Sequence, residues 1–327
     1  MGEFDIIREI FAPLTSNAPG AFQLTDDAAL LDVGLVVTKD IMVSGVHFLP
    51  KDPIDLVARK LLRVNLSDLA AKGAKPTGYI LGCVWPANVK RHSIELFASG
   101  LREDQEKFRI ALFGGDTAVH KLKTAPLTLS ATVFGAPPKL GMTMRSGASH
   151  SDDLYVSGTI GDAGLGLAAL KKEEKFTTVD KASLLGRFHL PQPRLSLGAA
   201  LAGLATSAID VSDGLIADAG HLARASNLRV EIDAVAIPRS PAAATWIASK
   251  SNRWRAIAKL ASFGDDYEIL FSAPSSMRRS IAVAAKASRT EVSRIGVMKR
   301  GEGVALLDEK GKEIAVPSGG FDHFKSA

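Results

Sequence analysis

The alternation of apolar and polar positions along the chain predicts both strands and amphipathic helices. Leu127, Leu129, Ala131 and Val133 alternate with the residues of an opposite face, which is typical of a half-buried strand. Within residues 53–71 the apolar side chains recur every three or four positions, which indicates a helix with one core-facing side. Asp68 continues the apolar stripe of this helix, so its carboxyl group is expected at the edge of the core.

Further elements are predicted where apolar runs are bounded by turn residues. The predicted strands are 28–31, 35–38, 109–113, 153–157, 208–211 and part of 263–272; the predicted helices are 94–108, a segment from residue 167, one after residue 213, and 275–288. Asp40 is expected just past the second strand, and Gly114-Gly115-Asp116 just past the third. Ser212 and Asp213 precede a helix, where N-caps and anion contacts occur.

Nine aspartates lie in short motifs beside these apolar runs. The motifs are Thr25-Asp26-Asp27, Thr38-Lys39-Asp40, Asn65-Leu66-Ser67-Asp68, Gly114-Gly115-Asp116-Thr117, Asp210-Val211-Ser212-Asp213-Gly214 and Gly264-Asp265-Asp266-Tyr267. Carboxylates that converge at the ends of buried strands repel one another and lose hydration, so they need a compensating cation. An oxygen-only ligand set favours Mg²⁺, which commonly joins carboxylates to substrate phosphates. This combination points to phosphoryl transfer.

Each aspartate taken alone also has a structural explanation. Asp26 or Asp266 can cap a turn, and Asp213 can be an N-cap. Six acidic motifs together are harder to explain as caps, because two unit charges ~4 Å apart repel by roughly 1 to 4 kcal/mol. The set as a whole therefore favours a metal site.

Length and composition narrow the class of protein. A chain of 327 residues is long enough for two domains, and the turn-rich segment 135–138 offers a boundary between residues 1–137 and 138–327. The net charge of +5 contains no run longer than Lys171-Lys172, so nucleic acid is not an expected partner. No apolar stretch reaches the ~18 residues of a membrane span, and the N-terminal segment lacks the layout of a signal peptide. The single Cys83 lies in an apolar run and predicts a buried, inert thiol; we expect a cytoplasmic protein.

Other common catalytic patterns do not occur in the sequence. The glycines of residues 158–166 do not form G-x-G-x-x-G, and there is no phosphate-binding G-x-x-x-x-G-K-[ST] loop, protein-kinase signature set or G-x-S-x-G elbow. The seven histidines do not cluster with a cysteine, so zinc has little support. His47 stands in the motif Val46-His47-Phe48-Leu49-Pro50, where a structural histidine and a ligand-binding one both remain open.

The ordered motifs resemble those of the thiamine-monophosphate kinases, a family of the aminoimidazole-ribonucleotide synthetase-like superfamily. Besides the aspartate motifs, the resemblance includes Gly45-Val46-His47-Phe48, Arg145-Ser146-Gly147-Ala148, Pro193-Arg194 and Gly320-Phe321-Asp322-His323-Phe324. It covers essentially the whole chain. The fold it implies is a two-domain α/β (α+β) protein with mixed sheets covered by helices, whose N-terminal sheets pair across a homodimer.

The resemblance also implies the reaction and the residues that perform it. ATP, bound with several Mg²⁺ ions between the two domains, phosphorylates thiamine monophosphate to thiamine diphosphate. The implied metal ligands are Asp27, Thr38, Asp40, Asp68, Asp116, Asp210 and Asp213; the ATP-binding residues are Gly115, Asp116, Arg145 and Ser212; the residues at the thiamine phosphate are His47, Asp265 and Phe321. No side-chain base is expected, because the attacking phosphate oxygen, with a second pKa of about 6, is largely ionised near neutrality.

The chain departs from the family pattern at several positions. Thr25 stands where a Gly is usual, Lys39 where a Thr is usual, Lys72 where a Met is usual, and Phe263-Gly264-Asp265 where Gly-Gly-Glu is usual. Two alternatives therefore stay open at this point. One is another ATP-dependent synthetase of the superfamily, and the other is an ATP-binding relative without turnover.

Overall fold

Two mixed β-sheets, one in each half of the chain, form the framework of the computed structural model, which describes residues 2–316. The first sheet contains β1 (Ala29–Leu31), β2 (Leu35–Val43), β3 (Lys75–Trp85), β4 (Ala111–Val119) and β5 (Thr128–Ala136), in the order β1-β2-β5-β3-β4. The second contains β6 (Asp153–Ser157), β7 (Ser207–Asp210), β8 (Arg229–Asp233), β9 (Ile269–Ala273), β10 (Val292–Lys299) and β11 (Gly303–Leu307), in the order β11-β8-β10-β6-β9-β7. Only the pairs β3–β4 and β8–β11 of these sheets are parallel.

Helices cover the sheets. They are α1 (Glu3–Ile6), α2 (Ile54–Ala71), α3 (Arg91–Phe108), α4 (Asp162–Leu170), α5 (Thr178–His189), α6 (Leu195–Leu201), α7 (Leu215–Ala225), α8 (Pro241–Ala248), α9 (Arg253–Ala261) and α10 (Arg278–Ser288). Within residues 2–316, no helix is long and apolar enough to cross a bilayer. The expectation of a two-sheet α/β protein with helices on the sheets is confirmed.

Helix α2 links the two halves of the molecule. Its apolar side is fully buried, with Leu61, Leu62, Leu66 and Leu69 all at 0% exposure. The helix contacts β2 and β5 of the first sheet and also β7 and β9 of the second. Because the burial of four leucines is worth several kcal/mol, this packing fixes where the end of α2 presents Asp68 to both sheets.

Several predicted boundaries were close and others were wrong. The helix predicted at 53–71 is Ile54–Ala71, and the alternating strand predicted around 127–133 is Thr128–Ala136. Strand β2 continues to Val43, so Asp40 lies inside it and not past its end. Strand β4 likewise runs through Gly114-Gly115-Asp116, because pairing with β3 continues along those residues. Helix α4 begins at Asp162, five residues earlier than predicted.

Cys83 lies on the covered face of β3. It is 6% exposed, and burial raises the pKa of its thiol to about 11. A thiol that stays protonated near neutrality is a poor nucleophile. The predicted buried, inert cysteine is confirmed.

Candidate active site between the two sheets

Four aspartates from separate segments converge where the two halves of the chain meet. Asp27 precedes β1, Asp40 lies within β2, Asp68 lies near the end of α2, and Asp210 is the last residue of β7. Oxygen atoms of Asp27, Asp68 and Asp210 lie within 4.8 Å of one another. The β1–β2 hairpin, in which Ala29 pairs with Val37, brings Asp27 beside β2. Three of the four carboxylates therefore come from the first half of the chain and the fourth from the second.

The pKa values of three of these carboxyl groups are raised by burial and by one another's charge. Burial raises the pKa of Asp40 to about 6, and the carboxylate of Asp27 adds to the rise. Burial, again with a contribution from Asp27, raises the pKa of Asp210 to about 8. Burial and the neighbouring carboxylates raise the pKa of Asp68 well above its usual value. The cluster has more carboxyl groups than the adjacent side chains can neutralise, which is the electrostatic condition for binding a cation.

Two cationic side chains neutralise part of this charge. Nε of Arg145 lies 2.7 Å from Oδ1 of Asp27, and its Nη2 also contacts that oxygen. Nζ of Lys72 lies 2.6 Å from Oδ1 of Asp26 and 2.6 Å from Oδ2 of Asp27. Burial alone would raise the pKa of Asp27, but the charges of Arg145 and Lys72 hold it below its usual value. Asp27 therefore keeps its negative charge more readily than Asp40, Asp68 and Asp210 do.

One oxygen in this cluster is buried without a hydrogen bond. Oδ2 of Asp27 accepts none of normal geometry, although Nζ of Lys72 is close to it. Oδ2 of Asp27 is a suitable ligand atom for a hard divalent cation, which prefers carboxylate oxygen. The donor set and this oxygen both fit Mg²⁺.

Neighbouring polar groups orient the carboxylates. The hydroxyl of Thr38 donates to Oδ2 of Asp68 at 2.5 Å, and the carbonyl oxygen of Asp27 lies 3.2 Å from the same hydroxyl. The backbone N–H of Asp40 donates to Oδ1 of Asn65, one turn before Asp68 on α2. Strand β2 and helix α2 are thus joined by two hydrogen bonds at the level of the cluster.

The loop between β7 and α7, together with the first turns of α7, carries a second group of polar residues. Asp213, Asp218 and His221 bring ligand atoms within 4.8 Å of one another. Oδ2 of Asp218 accepts the N–H groups of Asp213 and Gly214. Gly214 is the N-cap residue of α7, so the expectation that Ser212 or Asp213 caps this helix is wrong. Ser212 instead accepts the N–H of Asp265 on its carbonyl oxygen, which places this loop beside the predicted substrate residues.

The predicted substrate residues His47 and Asp265 are brought together by a lysine that sequence reasoning did not single out. Nζ of Lys60 lies 2.9 Å from Oδ2 of Asp265 and 3.3 Å from the carbonyl oxygen of His47. The same ammonium lies 4.0 Å from the ring centroid of Phe188. Lys60 is 2% exposed, so its charge is committed to these neighbours. The third predicted residue, Phe321, lies outside the described residues.

Gly115 and Asp116 lie away from the aspartate cluster of their own chain. Asp40, Ala131, Leu81 and Gly115 pair in succession across β2, β5, β3 and β4. Three strand spacings separate the first from the last, or about 14 Å. Asp116 follows Gly115 and therefore faces the opposite side of the sheet from Asp40. A Cβ on Gly115 would meet the carbonyl oxygen of Leu81 at 2.1 Å, so this glycine is required by strand packing.

Lys39 also lies on the opposite side of the sheet from the cluster. Its exposed side chain donates to the hydroxyl of Ser130 at 2.6 Å. The Lys39 ammonium is therefore directed to Ser130, on the face of the sheet away from Asp40. Lys72, by comparison, was noted from the sequence only as a departure, although it touches two aspartates. A lysine directly after a helix is typical of a solvated charge at the C-terminal end of that helix, so the sequence did not indicate that Lys72 is buried.

Comparison with known proteins identifies relatives along nearly the full length of the chain. Residues 25–136 match the family model of the AIR synthase related protein N-terminal domain, and residues 151–308 match that of its C-terminal domain. The chain is 45% identical to a thiamine-monophosphate kinase of Caulobacter vibrioides, over 98% of this chain and 90% of the relative. It is 36% identical to the thiamine-monophosphate kinase of Escherichia coli strain K12, over 99% and 98%.

Solved structures of similar proteins have the same fold. AaThiL complexed with AMPPCP and TMP superposes with a TM-score of 0.83 at 28% identity, covering 99% of this chain and 97% of the other. A thiamine-monophosphate kinase of Stenotrophomonas maltophilia K279a gives a TM-score of 0.76 at 35% identity, covering 96% and 98%. The hydrogenase maturation protein HypE of E. coli reaches 0.72 at only 20% identity, which shows a common fold and no more.

Proposed function

The chain belongs to the thiamine-monophosphate kinase family and converts thiamine monophosphate to thiamine diphosphate with ATP, and we propose that the aspartate cluster is the centre of this reaction. The observation that carries the proposal is the convergence of Asp27, Asp68 and Asp210 from both halves of the chain. Such a site can hold two anionic substrates against each other in the cleft between the sheets.

Mg²⁺ is the proposed cation of the cluster. Its proposed ligands are Asp27, Thr38, Asp40, Asp68, Asp116, Asp210 and Asp213. The buried Oδ2 of Asp27, which is held by its ion pair with Lys72 alone among the described residues, and the raised pKa values of Asp40 and Asp210 support this assignment. When bound, several Mg²⁺ ions supply the positive charge that draws the phosphates together and stabilises the charge that develops during transfer.

The residues around the cluster bind and orient the ATP phosphates. Arg145 is proposed to contact them with its planar guanidinium, which suits two phosphate oxygens at once. Ser212 is also assigned to ATP, as is Gly115, which lies away from the cluster of its own chain. The start of α7 just beyond Ser212 supports this, because the N–H groups at a helix start attract anions. No side chain is assigned as a base, since the attacking phosphate oxygen is already largely ionised and the chain needs only to position it in line.

Thiamine monophosphate is proposed to contact His47, Asp265 and Phe321. The contacts of Lys60 with both His47 and Asp265 support a single substrate site at this place. The location of Asp265 next to the loop of Ser212 supports it further, because it puts the acceptor beside the proposed ATP phosphates.

A homodimer formed through the N-terminal sheets is the proposed assembly. Every residue of β4, an outer strand, is exposed, and Ile41, Ile80 and Phe113 are 51%, 44% and 61% exposed. An exposed strand edge with apolar side chains is a surface suited to pairing. We propose that Asp116 of the partner subunit completes the cluster of each protomer, because Asp116 faces away from Asp40 of its own chain.

Two further assignments complete the proposal. The domains are taken as residues 1–137 and 138–327, which the separate sheets support. The proposed location is the cytoplasm, which the buried free thiol of Cys83 supports.

The direct test measures ADP release from ATP and Mg²⁺ by the purified protein, with and without thiamine monophosphate, and identifies thiamine diphosphate by mass. Formation of both products only when both substrates and Mg²⁺ are present supports the proposal. Thiamine diphosphate formed at full rate in excess EDTA would reject the metal-centred mechanism. ATP binding without thiamine diphosphate would indicate a different acceptor or a protein without turnover.

A further inference from the structure

We propose that Lys72 is a positioning residue, a built-in cation that holds the Asp26-Asp27 pair in place before metal binds and competes with Mg²⁺ for the charge of Asp27. The side chain follows α2 directly and is 0% exposed. Its Nζ lies 2.6 Å from both carboxyl groups. This inference rests on the proposed metal site at Asp27.

The three donors of the Lys72 ammonium have three partners. Besides Asp26 and Asp27, Nζ donates to the carbonyl oxygen of Ala208 in β7 at 2.9 Å. An ammonium has three N–H groups, so the group is satisfied without water. A buried lysine loses its hydration, and it is retained only where partners of this kind replace the water. The side chain therefore ties the loop before β1 to a strand of the second sheet.

The position of Lys72 determines what its charge does. Oδ2 of Asp27, which lies 2.6 Å from Nζ, accepts no other hydrogen bond within the described residues and is the oxygen proposed to bind metal. Asp26 is held in addition by the backbone N–H of Arg145, which donates to its Oδ2 at 2.9 Å. Asp26 thus has a partner on each oxygen, and Asp27 likewise has Arg145 at Oδ1 and Lys72 at Oδ2.

Two opposite effects follow from this geometry. Without metal, Lys72 neutralises part of a crowded acidic site and stabilises the folded chain. With metal, the same charge repels a divalent cation that binds to Oδ2 of Asp27, since like charges a few ångströms apart repel strongly at low dielectric. Removal of the ammonium should therefore destabilise the metal-free protein and tighten Mg²⁺ binding. A side chain that only fills space would not produce this pair of effects.

The test uses Lys72→Met, which is similar in shape, with Lys75→Met as a control that removes one charge from an exposed position three residues away. Thermal unfolding is recorded in EDTA, and Mg²⁺ binding to the full chain without nucleotide is measured by calorimetry. We expect Lys72→Met to lower the metal-free Tm and to tighten the Kd for Mg²⁺ by at least about tenfold. Lys75→Met should change neither quantity.

A second variant keeps the test informative if Lys72→Met does not fold. Adding Asp26→Asn to Lys72→Met removes the carboxylate left unpaired, so the metal-free Tm should recover, and Mg²⁺ should bind more tightly than to Asp26→Asn alone. Equal Mg²⁺ affinity with and without Lys72, or no recovery of the Tm, would overturn the inference. Absence of Mg²⁺ binding by the unaltered protein, in contrast, would overturn the proposed metal site itself.

Discussion

The hydroxyl of Thr38 donates a hydrogen bond of 2.5 Å to Oδ2 of Asp68 and so connects strand β2 to helix α2 at the aspartate cluster. The same hydroxyl reaches the carbonyl oxygen of Asp27 at 3.2 Å. One side chain thereby fixes the separation of two proposed metal ligands. The geometry of the cluster depends on this contact as well as on the carboxylates themselves.

Thr38→Val should weaken Mg²⁺ binding about 10- to 100-fold, because it removes the hydroxyl while keeping the branched shape of the side chain. Thr38→Ser keeps the hydroxyl and serves as the matched control, with Mg²⁺ affinity close to that of the unaltered chain. Calorimetric titration of Mg²⁺ distinguishes the two variants. Equal affinity for Mg²⁺ in Thr38→Val and the unaltered protein would show that the hydroxyl neither binds metal nor orients Asp68.

The stability of the metal-free protein should fall as the pH rises from about 6.5 to about 8. The pKa of Asp210 is about 8 in the folded chain, well above its value of about 3.9 in an unfolded one, so across this range the folded state binds more protons. The stabilisation is therefore complete only below pH ~3.9 and is lost as the pH rises through 8. His221, with its pKa lowered to about 4 chiefly by burial, has the opposite effect, but that effect offsets only a small part of the loss because it levels off about one pH unit above the unfolded pKa of ~6.5.

Thermal unfolding in EDTA at several pH values measures this dependence, and Asp210→Asn is the control that should flatten it. Saturating Mg²⁺ should also flatten it, because the cation replaces the protons. A metal-free Tm that is constant or increases between pH 6.5 and 8, and is unaffected by Asp210→Asn, would contradict the proposed charge crowding.

Asp265→Asn should raise the KM for thiamine monophosphate and leave the KM for ATP unchanged. The change removes the carboxylate that pairs with Lys60 and is proposed to face the cationic substrate. Asp265→Glu, which restores the residue usual in the family, should rescue substrate binding. Asp32→Asn, in the exposed turn between β1 and β2, controls for loss of one negative charge. If the KM for ATP rises instead, Asp265 belongs to the nucleotide site.

Mixed dimers test whether the site is shared between protomers. Asp68→Asn and Asp116→Asn homodimers should each be inactive. If Asp116 of the partner subunit completes the site, dissociation and reassembly of an equal mixture should restore about a quarter of the unaltered activity, since half the dimers are mixed and each contains one intact site. Recovery of no activity from a mixture shown to contain mixed dimers would place Asp116 in the site of its own chain, and an active Asp116→Asn homodimer would place it outside the site.

The fold was predictable wherever periodicity was strong. The helix ending at Ala71 was placed within one residue because its apolar stripe is continuous over five turns. The end of β2 was misplaced because the strand is extended to Val43 by eight pairs with β5, a long-range interaction that is not visible near Asp40. In β4 the two glycines suggested a break, whereas pairing with β3 carries the strand through them.

The aspartates of the site were predictable from the sequence and its cations were not. Asp27, Asp68 and Asp210 stand in motifs whose apolar neighbours show that each lies at the edge of a core. Lys60 lies on the same side of α2 as its apolar residues, a signal that was available but not used. Nothing near Lys72 indicates that it is buried, because its partners come from residues distant in the sequence.

The most direct test of the account is the turnover of Asp68→Asn with saturating ATP, thiamine monophosphate and Mg²⁺, together with its thermal unfolding. The substitution removes one proposed metal ligand and barely changes the side-chain shape. We predict that the rate of thiamine diphosphate formation falls more than about 100-fold. This loss exceeds the roughly 10- to 100-fold typical of substituting a residue that hydrogen-bonds to a metal ligand without binding the metal itself. Cooperative unfolding should be retained. Turnover close to that of the unaltered chain would contradict the claim that the aspartate cluster drives the reaction.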